Sequence, residues 1–242
     1  MMKIWNKPKI TFSTQERLLG VIPHPQRAMK FMPDWLKALP RDIKGGRTVK
    51  TCVPVLDAVS NGYVIPLWAD LRVSVTSQGG EFILNVEFPL SITRSADEGM
   101  VGHHDWEQVG DACPLKDMSL HKTPLKLTNP WDIKTADGYS VLIKTPAYND
   151  HPLHILEGVV DTDTFNVGIN FPFIWTGREV GEWLIPKGTP LAQVIPFKRI
   201  QPDLVVRATD EKTREIQMLQ LTSEFNDRYR YMFWHKRKNG KR

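Results

Sequence analysis

Three stretches of this sequence hold side chains whose types and spacing could do chemistry. In Gly158-Val159-Val160-Asp161-Thr162-Asp163-Thr164-Phe165 a glycine opens an extended run and two acids stand one residue apart. Side chains alternate along extended backbone, so both carboxylates face one side, where they can orient a water or a metal. Further on, Ile185-Pro186-Lys187-Gly188-Thr189-Pro190-Leu191-Ala192-Gln193-Val194-Ile195 makes a tight turn and feeds a strand. Its Gln193 amide is donor and acceptor at once and suits a polar ligand. The third stretch is Gly102-His103-His104-Asp105-Trp106, where His103 and Asp105 have the spacing of two ligands of a 2-His-1-carboxylate iron site, with His151 or His154 as the third. That arrangement implies Fe2+ and a 2-oxoglutarate oxygenase on a jelly roll, with Arg178 holding the co-substrate carboxylate. A plainer reading stands beside each: turn glycines at 158 and 188, carboxylates that satisfy backbone groups, and metal-free histidines in a polar loop.

The elements that must position these groups are strands. Alternation is clearest in Asp70-Leu71-Arg72-Val73-Ser74-Val75-Thr76 and Phe82-Ile83-Leu84-Asn85-Val86-Glu87-Phe88, and Gln78-Gly79-Gly80 between them predicts a hairpin. Strand-like runs recur at 139–145, 155–161, 167–175, 182–186 and 191–199, set apart by glycines. Residues 93–125 are polar and without period, which predicts a long loop. Met32-Pro33-Asp34-Trp35-Leu36-Lys37 predicts a helix over about 26 to 38. Thr209-Asp210 can cap a second helix, of about 210 to 234, whose Phe225, Tyr229, Tyr231, Phe233 and Trp234 need a surface to pack against. The expected fold is mainly β, a β-clip or jelly-roll-like folded sheet with flanking helices. It forms a single domain over 1–242: a helical or extended segment to 48, a β core over 49–207, and a helix with a basic tail over 208–242.

The acid turn and the Gln193 strand, with Asp137-Gly138-Tyr139-Ser140-Val141-Leu142 upstream, resemble the core of the trimeric dUTPase and dCTP deaminase superfamily. The resemblance covers about residues 130 to 200. In that superfamily a Gly-x-x-Asp-x-x-Tyr segment supplies a water-activating Asp and an aromatic ring, and a Gly-Asp-Arg-x-x-Gln segment contacts phosphates. The resemblance implies that Asp161 is the water-activating acid, Gly158 the close approach to the nucleoside and Gln193 the phosphate contact, with Tyr139 and Asp163 lining the ligand. Mg2+ would be the cofactor of a nucleotide-hydrolysing member. The chain also departs from the pattern: Thr164 stands at the tyrosine position, Lys144-Thr145-Pro146-Ala147-Tyr148 replaces an Arg-Ser pair, and Thr189-Pro190 replaces Asp-Arg. Phosphate hydrolysis needs cationic charge at the developing transition state. The resemblance therefore implies a divergent relative that binds a nucleotide or other small polar ligand and is not a competent dUTPase.

Met32-Pro33-Asp34-Trp35, Asn61-Gly62-Tyr63-Val64-Ile65-Pro66-Leu67-Trp68, Asn129-Pro130-Trp131-Asp132-Ile133 and Gln193-Val194-Ile195-Pro196-Phe197 are together similar to a protein family of bacteriophages, marine ones especially. That likeness implies an origin and no activity. It leaves open a virion or assembly component whose aromatic residues, with eight Trp and ten Phe in the chain, bury against neighbours. A homo-oligomer is expected. The net charge of +5 is matched by Lys236, Arg237, Lys238, Lys241 and Arg242 alone, so the basicity belongs to a tail at 236–242 that could meet an acidic or nucleic-acid partner. Apolar runs fall far short of the roughly 20 residues of a membrane span, which excludes a membrane helix. No signal-type apolar stretch follows the first residues, which predicts the cytoplasm, or the host cytoplasm or virion for a viral protein. Cys52 and Cys113, far apart and outside any CxxC, predict two reduced, buried thiols rather than a disulfide or a zinc ribbon.

Overall fold

The structure is a computed structural model that describes residues 8–89, 101–110, 112–119, 124–165, 167–222, 229–230 and 234–235. The chain divides into two compact units, Met1–Asp34 with Val59–Arg199 and Trp35–Ala58 with Ile200–Arg242. The first holds nearly all the strands. In chain order these are β1 (Ile10–Ser13), β2 (Gln26–Arg27), then β3 (Asp42–Ile43) and β4 (Gly46–Arg47) of the second unit, β5 (Tyr63–Pro66), β6 (Leu71–Gln78), β7 (Glu81–Glu87) and β8 (Val101–His103). They continue as β9 (Leu125–Thr128), β10 (Asp132–Thr135), β11 (Tyr139–Lys144), β12 (Leu153–Ile155), β13 (Gly158–Val160), β14 (Asn170–Trp175), β15 (Gly181–Ile185) and β16 (Pro190–Lys198). The helices are α1 (Asp34–Ala38), α2 (Val53–Ser60) and α3 (Glu211–Thr222).

The fold is mainly β, as expected, and the described pairings are antiparallel. A five-stranded sheet runs β13-β11-β16-β5-β2, a four-stranded sheet β12-β14-β9-β8 and a three-stranded sheet β15-β6-β7, with β1 on β10 and β3 on β4 as two-stranded ribbons. The expected hairpin is β6–β7. Gln78 pairs with Glu81 around Gly79 and Gly80, both at positive φ, the two-residue turn whose twist fits a hairpin. Along β6 the inward Leu71, Val73 and Val75 are buried and Arg72 and Thr76 are exposed, so one face meets the core. β16 is different. Its consecutive Leu191, Ala192, Gln193 and Val194 are all buried because the strand lies mid-sheet between β11 and β5, covered on both faces. Trp68, Trp131, Trp175, Phe171 and Phe173 are the largest fully buried side chains of a core otherwise built from Leu, Ile, Val and Ala.

Several local expectations change. Where the β core was expected to begin, at 49, the chain makes a 3-10 turn, Val49–Thr51, and after an extended Cys52 the helix α2; Pro54 in the first turn of α2 is compatible with a helix start. The helix expected over about 26 to 38 is a 3-10 turn at Ala28–Phe31 followed by the five-residue α1. The break is at Met32, which precedes Pro33 and is held extended at φ −56° and ψ 128°. The run at 155–161 splits between β12 and β13, which belong to different sheets. Inside the expected loop at 93–125, β8 adds an edge strand to β9. Cys52 and Cys113 are free thiols as expected, but Cys52 is exposed and Cys113 half-buried, so neither is the core residue that the burial tendency of cysteine suggested. α3 begins at the expected cap: Asp210 Oδ2 accepts from the Thr213 N–H at 3.2 Å and hydroxyl at 2.5 Å. These bonds, the hydroxyl's foremost, hold the Asp210 carboxyl below its usual range. The remainder of the helix expected to 234 and the basic tail at 236–242 lie largely outside the described residues, although Trp234 Nε1 donates to Asp57 Oδ2 at 3.0 Å within the second unit. No helix among the described residues is long and apolar enough to cross a membrane.

Candidate functional site

The acid turn follows β13. Asp161 O accepts the N–H groups of Thr164 at 3.2 Å and Phe165 at 2.8 Å, which curls residues 161–165 into a compact turn. Alternation at its start sorts the side chains as expected. Thr162 points inward, fully buried, and shares a 2.8 Å hydrogen bond with Thr135 Oγ1. Asp161 and Asp163 point the other way, and both meet Arg199.

Arg199 arrives there through register. It follows β16, whose Lys198 lies opposite Tyr139 of β11, and its N–H donates to Gly138 O at 2.9 Å. Gly138 is the third residue of an Ala136-to-Tyr139 turn and takes φ +76°, a value that favours glycine. Its own N–H donates to Asp163 Oδ2 at 2.9 Å. The Arg199 guanidinium grips Asp163 with both ends of its fork, Nη1 to Oδ1 at 2.8 Å and Nη2 to Oδ2. Nη1 also lies 3.2 Å from Asp161 Oδ1 and donates to Ser140 Oγ at 3.2 Å. Hydrogen bonding from Arg199, with the Gly138 N–H behind it, lowers the Asp163 carboxyl to about 2, and the same partner pushes the Arg199 pKa up.

Asp161 is held differently. Its Oδ1 accepts the Ser140 hydroxyl at 2.6 Å and faces Arg199, and among the described residues nothing bonds Oδ2. The side chain is 56% exposed, against 6% for Asp163. One carboxylate is therefore a buried strut, and the other is oriented from behind with an oxygen open to solvent. Chemically, such an oxygen can accept a hydrogen bond from a ligand hydroxyl or amide, or take a proton from a water.

The other residues named from sequence are not gathered here. Gln193 pairs with Lys144, four residues along β11 from Ser140, which places it about 13 Å away at the strand rise. Its amide is already engaged: Oε1 accepts from Ala147 N at 3.3 Å, and Nε2 donates to Asn61 O at 2.8 Å. It is 1% exposed, so it ties two loops to the sheet from inside. Gly158 lies opposite Ile143, at the Gln193 end of β11, with no positive φ, and a Cβ there would meet nothing within 4 Å. Neither backbone conformation nor crowding in this chain requires a glycine at 158. Tyr139 gives its carbonyl to Thr135 Oγ1 at 3.0 Å, and strand alternation turns its ring to the face opposite Ser140.

The iron reading fails on topology. His103 is on β8 and His154 on β12, the two outer strands of one sheet with β9 and β14 between them, so three strand spacings, about 14 Å, separate them. Asp105 leads into a 3-10 turn, where its carbonyl accepts Gln108 N. His151 is a structural histidine: Nε2 donates to Pro190 O at 2.6 Å, Nδ1 accepts Leu153 N at 3.3 Å, and burial pushes its pKa down. Arg178 binds the Asp117 carbonyl. Among the described residues no three His, Cys, Asp or Glu side chains gather at metal-ligand spacing. Nor do the two acids make a Mg2+ cradle by themselves, since Asp163 is already occupied by Arg199.

Sequence reasoning missed Ser140, Arg199, Thr135 and Thr162. Ser140 stood in a quoted segment without a role, and Arg199 becomes visible only once the β11–β16 register is known.

Fold and site together define an antiparallel β protein with a surface carboxylate oriented by a serine and an arginine. No protein-family model and no curated protein matches the chain. Among solved structures it is similar to a point mutant of the dUTPase from phage phi11 of S. aureus, a structure described as revealing the coordination of a structural Mg(II) ion. That match has 11% identity and a TM-score of 0.38, and covers 85% of this chain and 99% of that one.

Proposed function

We propose that this chain is a divergent β-clip relative of the dUTPases that binds a nucleoside, nucleotide or similar small polar ligand at the Asp161 turn and does not hydrolyse dUTP. The observation that carries the reading is the Asp161 carboxylate: it stands where the resemblance puts the water-activating acid, Ser140 and Arg199 fix one oxygen, and the other is open. The absence of hydrolysis follows from charge. Arg199, the cation of this cluster, is committed to Asp163 and Asp161, so its guanidinium is not available to stabilise charge on a transferring phosphate. Gln193, the expected phosphate contact, is committed to Ala147 and Asn61 in the same way.

The test is calorimetric titration of the full chain with deoxyuridine, dUMP, dUTP and dCTP, with and without Mg2+, beside a turnover assay. Binding of at least one of them, lost in Asp161→Asn and unaccompanied by product, supports the reading. Turnover of dUTP that Asp161→Asn abolishes would show an active hydrolase instead, and no binding by any of the four would remove the ligand proposal.

A further inference from the structure

The sheet face that carries Asp161 continues past the acid turn. β13, β11 and β16 lie side by side, and residues opposed on neighbouring strands point to the same face. On that face Ser140 lies opposite Phe197 and bonds Asp161, and two residues along the strand Leu142 lies between Val159 and Ile195. Val141 and Val194, which alternate with this set, are fully buried in the core. β16 is sealed on both faces from Leu191 to Val194, and the cover ends there: Ile195 and Leu142 are half-buried, and Val159 and Phe197 are 60% and 38% exposed. Asp161 thus stands at the border of an apolar floor of Leu142, Val159, Ile195 and Phe197.

Building on the ligand reading of the Asp161 turn, we propose that its occupant is a neutral, phosphate-free nucleoside, laid on this floor and donating an N–H or O–H to the open Asp161 oxygen. Size limits the occupant. Three strands span about 10 Å and two alternate residues about 7 Å, so the floor covers about 70 Å², against roughly 800 Å² for one side of a stable protein interface. A ring with its sugar fills it. Charge selects within that class. One guanidinium faces two carboxylates, so the Asp161, Asp163 and Arg199 cluster keeps one negative charge, which attracts a donor and repels a phosphate. Lys198 alternates to the other face. Lys144 shares the face but stands about 13 Å from Ser140 along β11, and its Nζ donates to Thr145 O at 2.7 Å. The apolar floor rewards an uncharged ring in the same place.

The experiment is calorimetric titration of the full chain with deoxyuridine, thymidine, dUMP and dUTP, at low salt and again at about 1 M, where charges are screened beyond about 3 Å. Deoxyuridine is expected to bind about tenfold more tightly than dUMP at low salt, with dUTP weaker still, and high salt is expected to close most of that gap. Thymidine brings one more methyl to the floor and is expected to bind about fourfold more tightly than deoxyuridine. Val159→Lys, at a position already in solvent, adds a cation to the floor and is expected to reverse the order of deoxyuridine and dUMP. Should that variant misfold, the order on the unmodified chain decides. If dUMP or dUTP binds as tightly as deoxyuridine at low salt, or thymidine binds less tightly, the neutral-nucleoside assignment is overturned while the ligand reading of the Asp161 turn stands. If no probe binds, both fall together.

Discussion

The two ends of β11 carry the two halves of the same sequence resemblance, and they have been put to different uses. At the Ser140 end, Asp161 is oriented by neighbours yet keeps an oxygen for solvent. At the Lys144 end, Gln193 is sealed inside with both amide atoms bonded to backbone. A motif residue can keep its place while its bonding capacity is absorbed by the fold. Burial and spare hydrogen-bond capacity, which sequence does not display, separate a site from a strut.

The sharpest way to break this contrast is to attack the sealed end. Gly62 sits at φ +71°, and a Cβ there would lie 2.2 Å from Val194 O, beside Gln193 and the Asn61 carbonyl it holds. Gly62→Ala is expected to cost about 4 kcal/mol or more, or to prevent folding, because positive φ and collision with backbone act together; urea unfolding measures it. Gln193→Leu is expected to cost about 3 kcal/mol, since it leaves the Ala147 N–H and Asn61 carbonyl unpaired in a buried place. If Gln193→Leu instead leaves the urea midpoint unchanged while weakening a ligand, the assignment of the two ends is reversed.

Acid titration sharpens the open end. Asp163 has a folded pKa of about 2, below its unfolded value near 3.9. It therefore contributes stability that is complete above the unfolded value and is lost as pH falls from about 4 through about 2. Arg199→Gln removes the main cause of that depression, so the carboxyl-carbon NMR titration of Asp163 should move up toward the ordinary range; an unmoved titration would mean that the Gly138 N–H alone holds it. His151 works at milder pH. Its folded pKa is lowered by burial, so the unfolded chain binds the extra proton and stability declines as pH falls below about 6.5. His151→Gln should flatten that part of the stability profile.

The smallest expected effect concerns Tyr148, at φ +59° between the anchored Ala147 and Asn149. Tyr148→Gly should stabilise the chain by about 1 kcal/mol through release of left-handed strain, read as a raised urea midpoint. A loss of stability would show that its half-exposed ring packs more strongly than its backbone is strained.

How much of this was legible follows from the range of each signal. The β6–β7 hairpin was readable because alternation and Gly79-Gly80 are local. So were the α3 cap at Asp210 and the shared side of Asp161 and Asp163. α2 fell inside the expected β core because Val53–Ser60 is only eight residues long, about two turns, too short for a helical period to stand out. β12 and β13 were joined because nothing in Leu156-Glu157-Gly158 announces a change of sheet. Arg199 and the burial of Gln193 were out of reach for the same reason: both depend on which strands lie on either side of β16, a long-range fact.

The central claim is that the open oxygen of Asp161 faces a ligand and is not an idle surface group. Calorimetric titration of the unmodified chain and of Asp161→Asn with deoxyuridine and dUMP tests it most directly, with urea unfolding of both as the control. The account predicts saturable binding by the unmodified chain, its loss in the variant, and nearly equal unfolding midpoints. Equal binding by both proteins, or by neither, would contradict it.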